Sequence, residues 1–81
     1  MKLNVKLFAL ARDVYGDDEV GVELSEPANV GELRNRLATK IPALAHLMPQ
    51  LMFAVNSEYA TDKNPLVEGD EVACIPPVSG G

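Results

Sequence analysis

The residues with the clearest potential for chemistry are the last two, Gly80 and Gly81. Because glycine has no side chain, this end can thread a narrow channel and bring its carboxylate close to the catalytic groups of another protein. A carboxylate is a poor electrophile, so it would first need activation by ATP as an acyl-adenylate. A sulfur donor could then displace AMP and leave a thiocarboxylate. The diglycine therefore suggests a carrier of sulfur at the oxidation level of sulfide.

The segment before the diglycine favours the same chemistry. Pro76-Pro77 stiffens the chain into an extended rod, and Val78-Ser79 is small. A terminal Gly-Gly is most often a frayed end, but this one follows a predicted central strand on a short, stiff stalk. We expect a folded domain over residues 1–75 and an extended tail over residues 76–81.

The chain has too few histidines and cysteines for the usual side-chain catalytic sites and metal sites. His46 is the single histidine and Cys74 the single cysteine, so the chain can form neither an internal disulfide nor a histidine or cysteine metal cluster. Cys74 alternates with Val72 in a predicted central strand, where a cysteine behaves as a small hydrophobe. We therefore expect no metal and no permanently bound cofactor.

Composition and charge narrow the range of partners. The 81 residues fit one domain, and 12 acidic against 7 basic residues give a formal charge of −5. Nucleic acid and anionic membranes both require a positive face, so a protein with a basic docking surface is the better partner. No stretch approaches transmembrane length, and the alternating N-terminus is unlike a signal peptide. We expect a cytoplasmic protein.

Alternation of apolar and polar residues predicts the strands that must position the tail. They lie near residues 3–8, 20–24, 51–55, 58–60 and 71–75. The first two should form an antiparallel pair around a short helical turn at residues 9–15. The last strand should lie parallel to the first in the centre of the sheet.

Between the strand pairs the period changes to that of a helix. One apolar stripe is formed by Val30, Leu33, Leu37 and Ile41. Asn29 is the predicted N-cap, and Pro42 ends the helix because it lacks an amide hydrogen. Residues 43–48 are expected to form a short second helix closed by Pro49. This order predicts an α+β fold of the β-grasp class, a mixed sheet of four to five strands with one main helix on one face.

The predicted pairing also gathers apolar residues on the solvent side of the sheet. Phe8 and Ile75 fall on the face opposite the core, in strands expected to be neighbours. They should form an exposed patch at the root of the tail, extended by Tyr59. Such a patch indicates a protein interface.

The chain resembles the small-subunit family of molybdopterin synthase, the MoaD-like sulfur carriers with a ubiquitin-like β-grasp fold, over essentially its whole length. The resemblance rests on four stretches: Lys6-Leu7-Phe8-Ala9 with Arg12, Ala54-Val55-Asn56, Pro65-Leu66 followed by Gly69-Asp70-Glu71-Val72-Ala73, and Ile75-Pro76-Pro77-Val78-Ser79-Gly80-Gly81. It implies a non-catalytic, sulfur-donating subunit of a heterotetramer whose active site lies on the large subunit. The tail would enter that site and help to convert cyclic pyranopterin monophosphate into molybdopterin.

The resemblance also implies the activating partners and the roles of site residues. A ubiquitin-activating-like adenylyltransferase would form the transient, nucleotide-bearing acyl-adenylate from ATP, and a sulfurtransferase or cysteine desulfurase would supply the sulfur. Gly81 would carry the sulfur, and Gly80 would give clearance for insertion. The residues implied in partner binding are Phe8, Tyr59, Ile75, Pro76, Pro77, Val78 and Ser79.

Three alternatives remain at the level of the sequence. The chain could supply sulfur to another pathway, such as thiamine synthesis, cysteine synthesis or tRNA thiolation. It could instead be a ubiquitin-like modifier joined through Gly81 to lysines of other proteins. It could also be an interaction domain with an inert terminus.

Overall fold

A computed structural model of the chain describes residues 1–77; the predicted roles of residues 78–81 lie outside it. The strands are β1 (Lys2–Leu7), β2 (Glu19–Glu23), β3 (Ala28–Asn29), β4 (Met52–Val55), β5 (Glu58–Ala60), β6 (Pro65–Leu66) and β7 (Val72–Ile75). The helices are α1 (Ala9–Tyr15) and α2 (Val30–Lys40), and two 3-10 turns span Pro42–Leu44 and Met48–Gln50.

Five of the strands form one mixed sheet in the order β2-β1-β7-β4-β5. β1 runs antiparallel to β2 and parallel to β7, with Val5 opposite Val72 and Leu7 opposite Cys74. β4 pairs antiparallel with both β5 and β7. The predicted parallel pairing of the first and last strands is confirmed, so the segment that leads to the tail leaves from the middle of the sheet.

The main helix forms as its cap and its apolar stripe predict. The Glu32 backbone N–H donates to the Asn29 Oδ1 at 2.9 Å, which satisfies one of the free donors of the first turn. Val30, Leu33 and Leu37 are fully buried against the sheet. α2 ends at Lys40, before Pro42.

Three local predictions need correction. β1 ends at Leu7, and Phe8 is instead the N-cap residue of α1, with extended backbone. The helix predicted over 43–48 is replaced by the two 3-10 turns, and Pro49 lies inside the second rather than closing it. Each proline falls in the first turn of its 3-10 segment, where its fixed φ is compatible and no amide donor is required. The two-residue sheet of β3 and β6 was not predicted.

Arg34 ties α2 to two other parts of the chain. Its guanidinium donates to the carbonyl oxygens of Met48 and Leu51, the latter at 2.6 Å, and to the Asp62 Oδ1 at 2.9 Å from Nη2. The guanidinium carbon also lies 4.9 Å from the centre of the Phe53 ring. One side chain thus fixes the turn that leads into β4.

Replacing Arg34 by methionine should destabilise the fold. The change leaves two carbonyl oxygens without their donor and removes an ion pair in which the Arg34 side chain is 18% exposed and the Asp62 side chain 57% exposed. We expect the free energy of unfolding to fall by about 2–3 kcal/mol, measured by urea denaturation. The exposed Arg36 on the same helix is the matched control, and Arg36→Met should change stability by less than about 0.5 kcal/mol. Equal effects of the two substitutions would contradict this role of Arg34.

Candidate functional site

The root of the tail lies at one end of the sheet, between β1 and β4. Ile75 closes β7 opposite Met52. The Phe8 backbone N–H donates to the Cys74 carbonyl oxygen at 3.3 Å, so the first residue after β1 is held against the end of β7. Pro76 is half-buried there and Pro77 is exposed. The strand pairing therefore gives the tail a rigid base.

An apolar row of Phe8, Ile75 and Met52 crosses the outer face of the sheet at this base. Leu7, Phe53 and Cys74 alternate with these residues and point into the core. Phe8 is 45% exposed and Met52 41% exposed, while Ile75 between them is half-buried. The structure thus brings Phe8 and Ile75 together as the sequence predicts.

Met52 is the member of the apolar row that sequence reasoning missed. It alternates with the buried Phe53, so its outward direction could have been inferred from the period of β4. Its place beside Ile75 depends on the β4–β7 register, however, and period alone does not fix which residues of two strands are opposite.

Tyr59 belongs to a second row on the same face, one step further from the tail. This row, here named the alanine row, consists of Lys6, Ala73, Ala54 and Tyr59, which are partners across β1, β7, β4 and β5. Tyr59 stands at its outer end and is 65% exposed. It therefore extends the apolar face, as predicted, but across two intervening alanines rather than in direct register with Ile75.

Cys74 is a core residue, as its alternation predicts. Its side chain is fully buried, and burial raises the pKa of its thiol to about 11, against a smaller lowering by the charge of Arg34. A thiol with this pKa stays protonated at neutral pH and is a poor nucleophile. His46 lies exposed in the turn between the two 3-10 segments. Neither residue joins the apolar row.

Within residues 1–77, no three carboxylate, imidazole or thiol groups come together as they would to hold a metal ion. Over the same range, no helix has the length and apolar character needed to cross a membrane. Val78, Ser79, Gly80 and Gly81 lie outside the described residues, so their roles stay predictions. In residues 1–77, the candidate site therefore consists of the apolar row and of Pro76-Pro77, which leave the end of β7 beside it.

Comparison with known proteins agrees with this arrangement. The molybdopterin synthase sulfur carrier subunit of Chlamydomonas reinhardtii is 42% identical, and the alignment covers 100% of both chains. Among solved structures, SAMP1 from Haloferax volcanii superposes with a TM-score of 0.89 at 31% identity and 100% coverage of both chains.

A third similar structure is the complex of subunits 1 and 2 of the molybdopterin-converting factor from Helicobacter pylori. It matches at a TM-score of 0.70 and 22% identity, with 100% of both chains covered, which shows a shared fold. The family model described as "ThiS family" matches residues 5–81. The resemblance inferred from the sequence is confirmed: this chain belongs to the ThiS family and has molybdopterin synthase sulfur carrier subunits among its relatives.

Proposed function

We propose that this chain is a cytoplasmic sulfur carrier of molybdenum cofactor biosynthesis and acts as the small subunit of molybdopterin synthase. The observation that carries the proposal is the geometry at the end of β7. The central strand delivers Pro76 and Pro77 out of the sheet directly beside the apolar row. A partner that binds the row would receive the tail at the same time.

Relatives support the identity of that partner. The Chlamydomonas reinhardtii relative is named a subunit of molybdopterin synthase, and the Helicobacter pylori neighbour was solved with a second subunit. We infer that the large subunit covers the apolar row and takes Pro76–Gly81 into its active site. The assembly would be a heterotetramer, with the reaction catalysed on the large subunit.

The chemistry follows from the terminal carboxylate of Gly81. One of its oxygens attacks the α-phosphorus of ATP on a ubiquitin-activating-like adenylyltransferase, and pyrophosphate leaves. The persulfide of a sulfurtransferase or cysteine desulfurase then attacks the acyl-adenylate carbonyl and displaces AMP, which gives an acyl disulfide. A second thiol attacks the sulfur that belongs to the donor enzyme's cysteine, forms a disulfide with it, and releases the thiocarboxylate. Inside the synthase, the thiocarboxylate sulfur would be transferred to cyclic pyranopterin monophosphate. The absence of a side chain at Gly80 would allow the approach.

Intact-mass spectrometry of the protein isolated from its own host tests this proposal. Replacement of a terminal oxygen by sulfur adds about 16 Da, and fragmentation should place the added mass on the last residue. Oxidation of a methionine adds a similar mass, so the protein is also treated with an alkylating reagent. A thiocarboxylate would carry the alkyl group on the last residue, whereas a methionine sulfoxide would not react. A protein from a host that is actively making the cofactor and that shows no terminal sulfur would contradict the proposal.

A second candidate is favoured by the likeness to SAMP1, a small archaeal modifier protein. In a modifier, a lysine amine of a target protein would attack the activated Gly81 carbonyl and form an isopeptide bond. Covalent adducts of higher mass that disappear in a Gly81 deletion would support this candidate. The two candidates share the activation step and differ in the nucleophile that follows it.

A further inference from the structure

The outer face of the sheet contains a groove next to the apolar row. Ala73 and Ala54 form its floor, because they occupy the two central positions of the alanine row. Their methyl groups are short, whereas Lys6 and Phe8, which also line the groove, have long side chains. The result is an open groove of about 480 Å³, with Phe8 among its walls. Such a groove can receive one long side chain of a docked protein.

The side of the groove away from the apolar row is acidic. Asp70 and Glu71 line it. Both carboxylate oxygens of Asp70 are already engaged, one by the Asn56 Nδ2 at 3.0 Å and the other by the Val67 backbone N–H at 2.9 Å. The Glu71 backbone is fixed by its N–H bond to the Asn56 Oδ1 at 3.0 Å.

Glu71 differs from Asp70 in that its carboxylate is still available. Among residues 1–77, it takes part in no hydrogen bond or ion pair, and the residue is exposed. The positive charges at the groove lie on the β1 side, at Lys2 and Lys6, and Lys2 is paired with Glu23 at 3.7 Å. Glu19 also lines the groove on that side, as the strand partner of Lys6. The β1 side therefore carries charges of both signs, whereas the β7 side carries only the carboxylates of Asp70 and Glu71.

We propose that this groove binds an arginine side chain of the large subunit. Its aliphatic stem would lie over Ala73 and Ala54, and its guanidinium would pair with the Glu71 carboxylate. An apolar side chain would fill the floor equally well but would cover Glu71 without giving it a partner, which is unfavourable for a carboxylate. Arginine is better suited than lysine because its flat, weakly hydrated guanidinium can donate two parallel hydrogen bonds to the Glu71 carboxylate. The inference rests on the proposed function.

Two substitutions in the full chain test the proposal by calorimetric titration with the purified large subunit. Ala73→Leu fills the floor and should weaken binding roughly tenfold, while the size-matched Ala73→Ser should bind as the unaltered chain does. Glu71→Gln removes the paired charge and should weaken binding about fivefold at low salt. Glu68→Gln is the control for net charge, because Glu68 is exposed in the preceding turn and does not line the groove.

The dependence of binding on salt identifies the occupant. Glu71→Gln should flatten the fall of affinity with ionic strength, whereas Glu68→Gln should leave it unchanged. If Glu71→Gln and Glu68→Gln change the affinity equally, the proposal that an arginine pairs with Glu71 is wrong. If Ala73→Leu binds the large subunit as tightly as the unaltered chain does, the proposal that a side chain occupies the groove is wrong. If Ala73→Leu lowers the thermal midpoint, Ala54→Leu fills the same floor from the neighbouring strand. If the unaltered chain does not bind the large subunit, the proposed function is wrong and the groove proposal falls with it.

Discussion

Deletion of Gly81 is expected to lower the rate of sulfur transfer at least about a hundredfold, because a reacting group displaced by even a small distance loses its productive geometry. The deletion withdraws the carboxylate by about 3.5 Å, the length of one extended residue. It also leaves Gly80 as the terminus, and the large subunit would then have to bind a tail that is too short. The rate is measured as conversion of the pterin precursor by the reconstituted synthase.

The fold should not change in this variant. The buried core side chains of the described residues lie between Leu3 and Cys74. We therefore expect the tail to contribute little to stability. Thermal unfolding of the deletion variant should match that of the full chain. Gly81→Ala is the companion variant, because it keeps the length and adds one methyl group where a close approach is expected. Full activity of the deletion variant would refute the sulfur-carrier proposal.

The second large effect is expected for Phe8→Asp, which should weaken binding of the large subunit about a hundredfold. Phe8 is the N-cap residue of α1, and its side chain makes no capping hydrogen bond. Aspartate is among the best residues at an N-cap. The substitution therefore removes the aromatic ring and places a charge on the proposed interface while it improves the local helix signal. A loss of binding would therefore not result from unfolding.

Val67→Asp is the matched control for this experiment. Val67 is 62% exposed but lies outside the apolar row, and its substitution adds the same negative charge. Binding of this variant should stay within about twofold of that of the unaltered chain, as for a surface change outside an interface. The two affinities are compared by calorimetry, with thermal midpoints recorded in parallel. Similar losses in both variants would argue against the apolar row as the docking surface.

The position of Phe8 suits neither the helix that it begins nor the hydrophobic core. Phenylalanine is not favoured at a helix N-cap, and the outward direction of this residue gives it no role in the core. A residue that fits neither its local position nor the core indicates a requirement from outside the fold. The sequence shows that Phe8 is an apolar residue on the outer face. The structure is needed to show that Phe8 also occupies an N-cap position that phenylalanine does not favour.

Much of the fold could be predicted because its signals are local. The cap at Asn29, the stop at Pro42 and the alternation of β1 and β7 each depend on neighbouring residues in the chain. The short pairing of β3 with β6 could not be predicted, because two residues carry no period. The sequence predicts one helix in place of the two 3-10 turns, because the apolar residues of this segment are compatible with both.

The candidate site was predictable in its members more than in its geometry. The sequence predicts that Phe8 and Ile75 lie together, because the alternation of side chains places both on the outer face and β1 is expected to pair with β7. The sequence does not predict the groove over Ala73 and Ala54, because small residues in a strand carry no functional signal by themselves. It emerges only when the registers of four strands place both alanines in one row.

The central position of β7 also determines when the protein can become usable. β7 is synthesised after β1 and β4, yet it lies between them in the sheet. Until this segment has left the ribosome, β1 and β4 each lack a partner along the edge that faces β7, and nothing rigid supports the residues that follow Ile75. We therefore expect the apolar row and the base of the tail to form only once β7 has paired with both strands, so that a protein binding them would select folded copies of the chain.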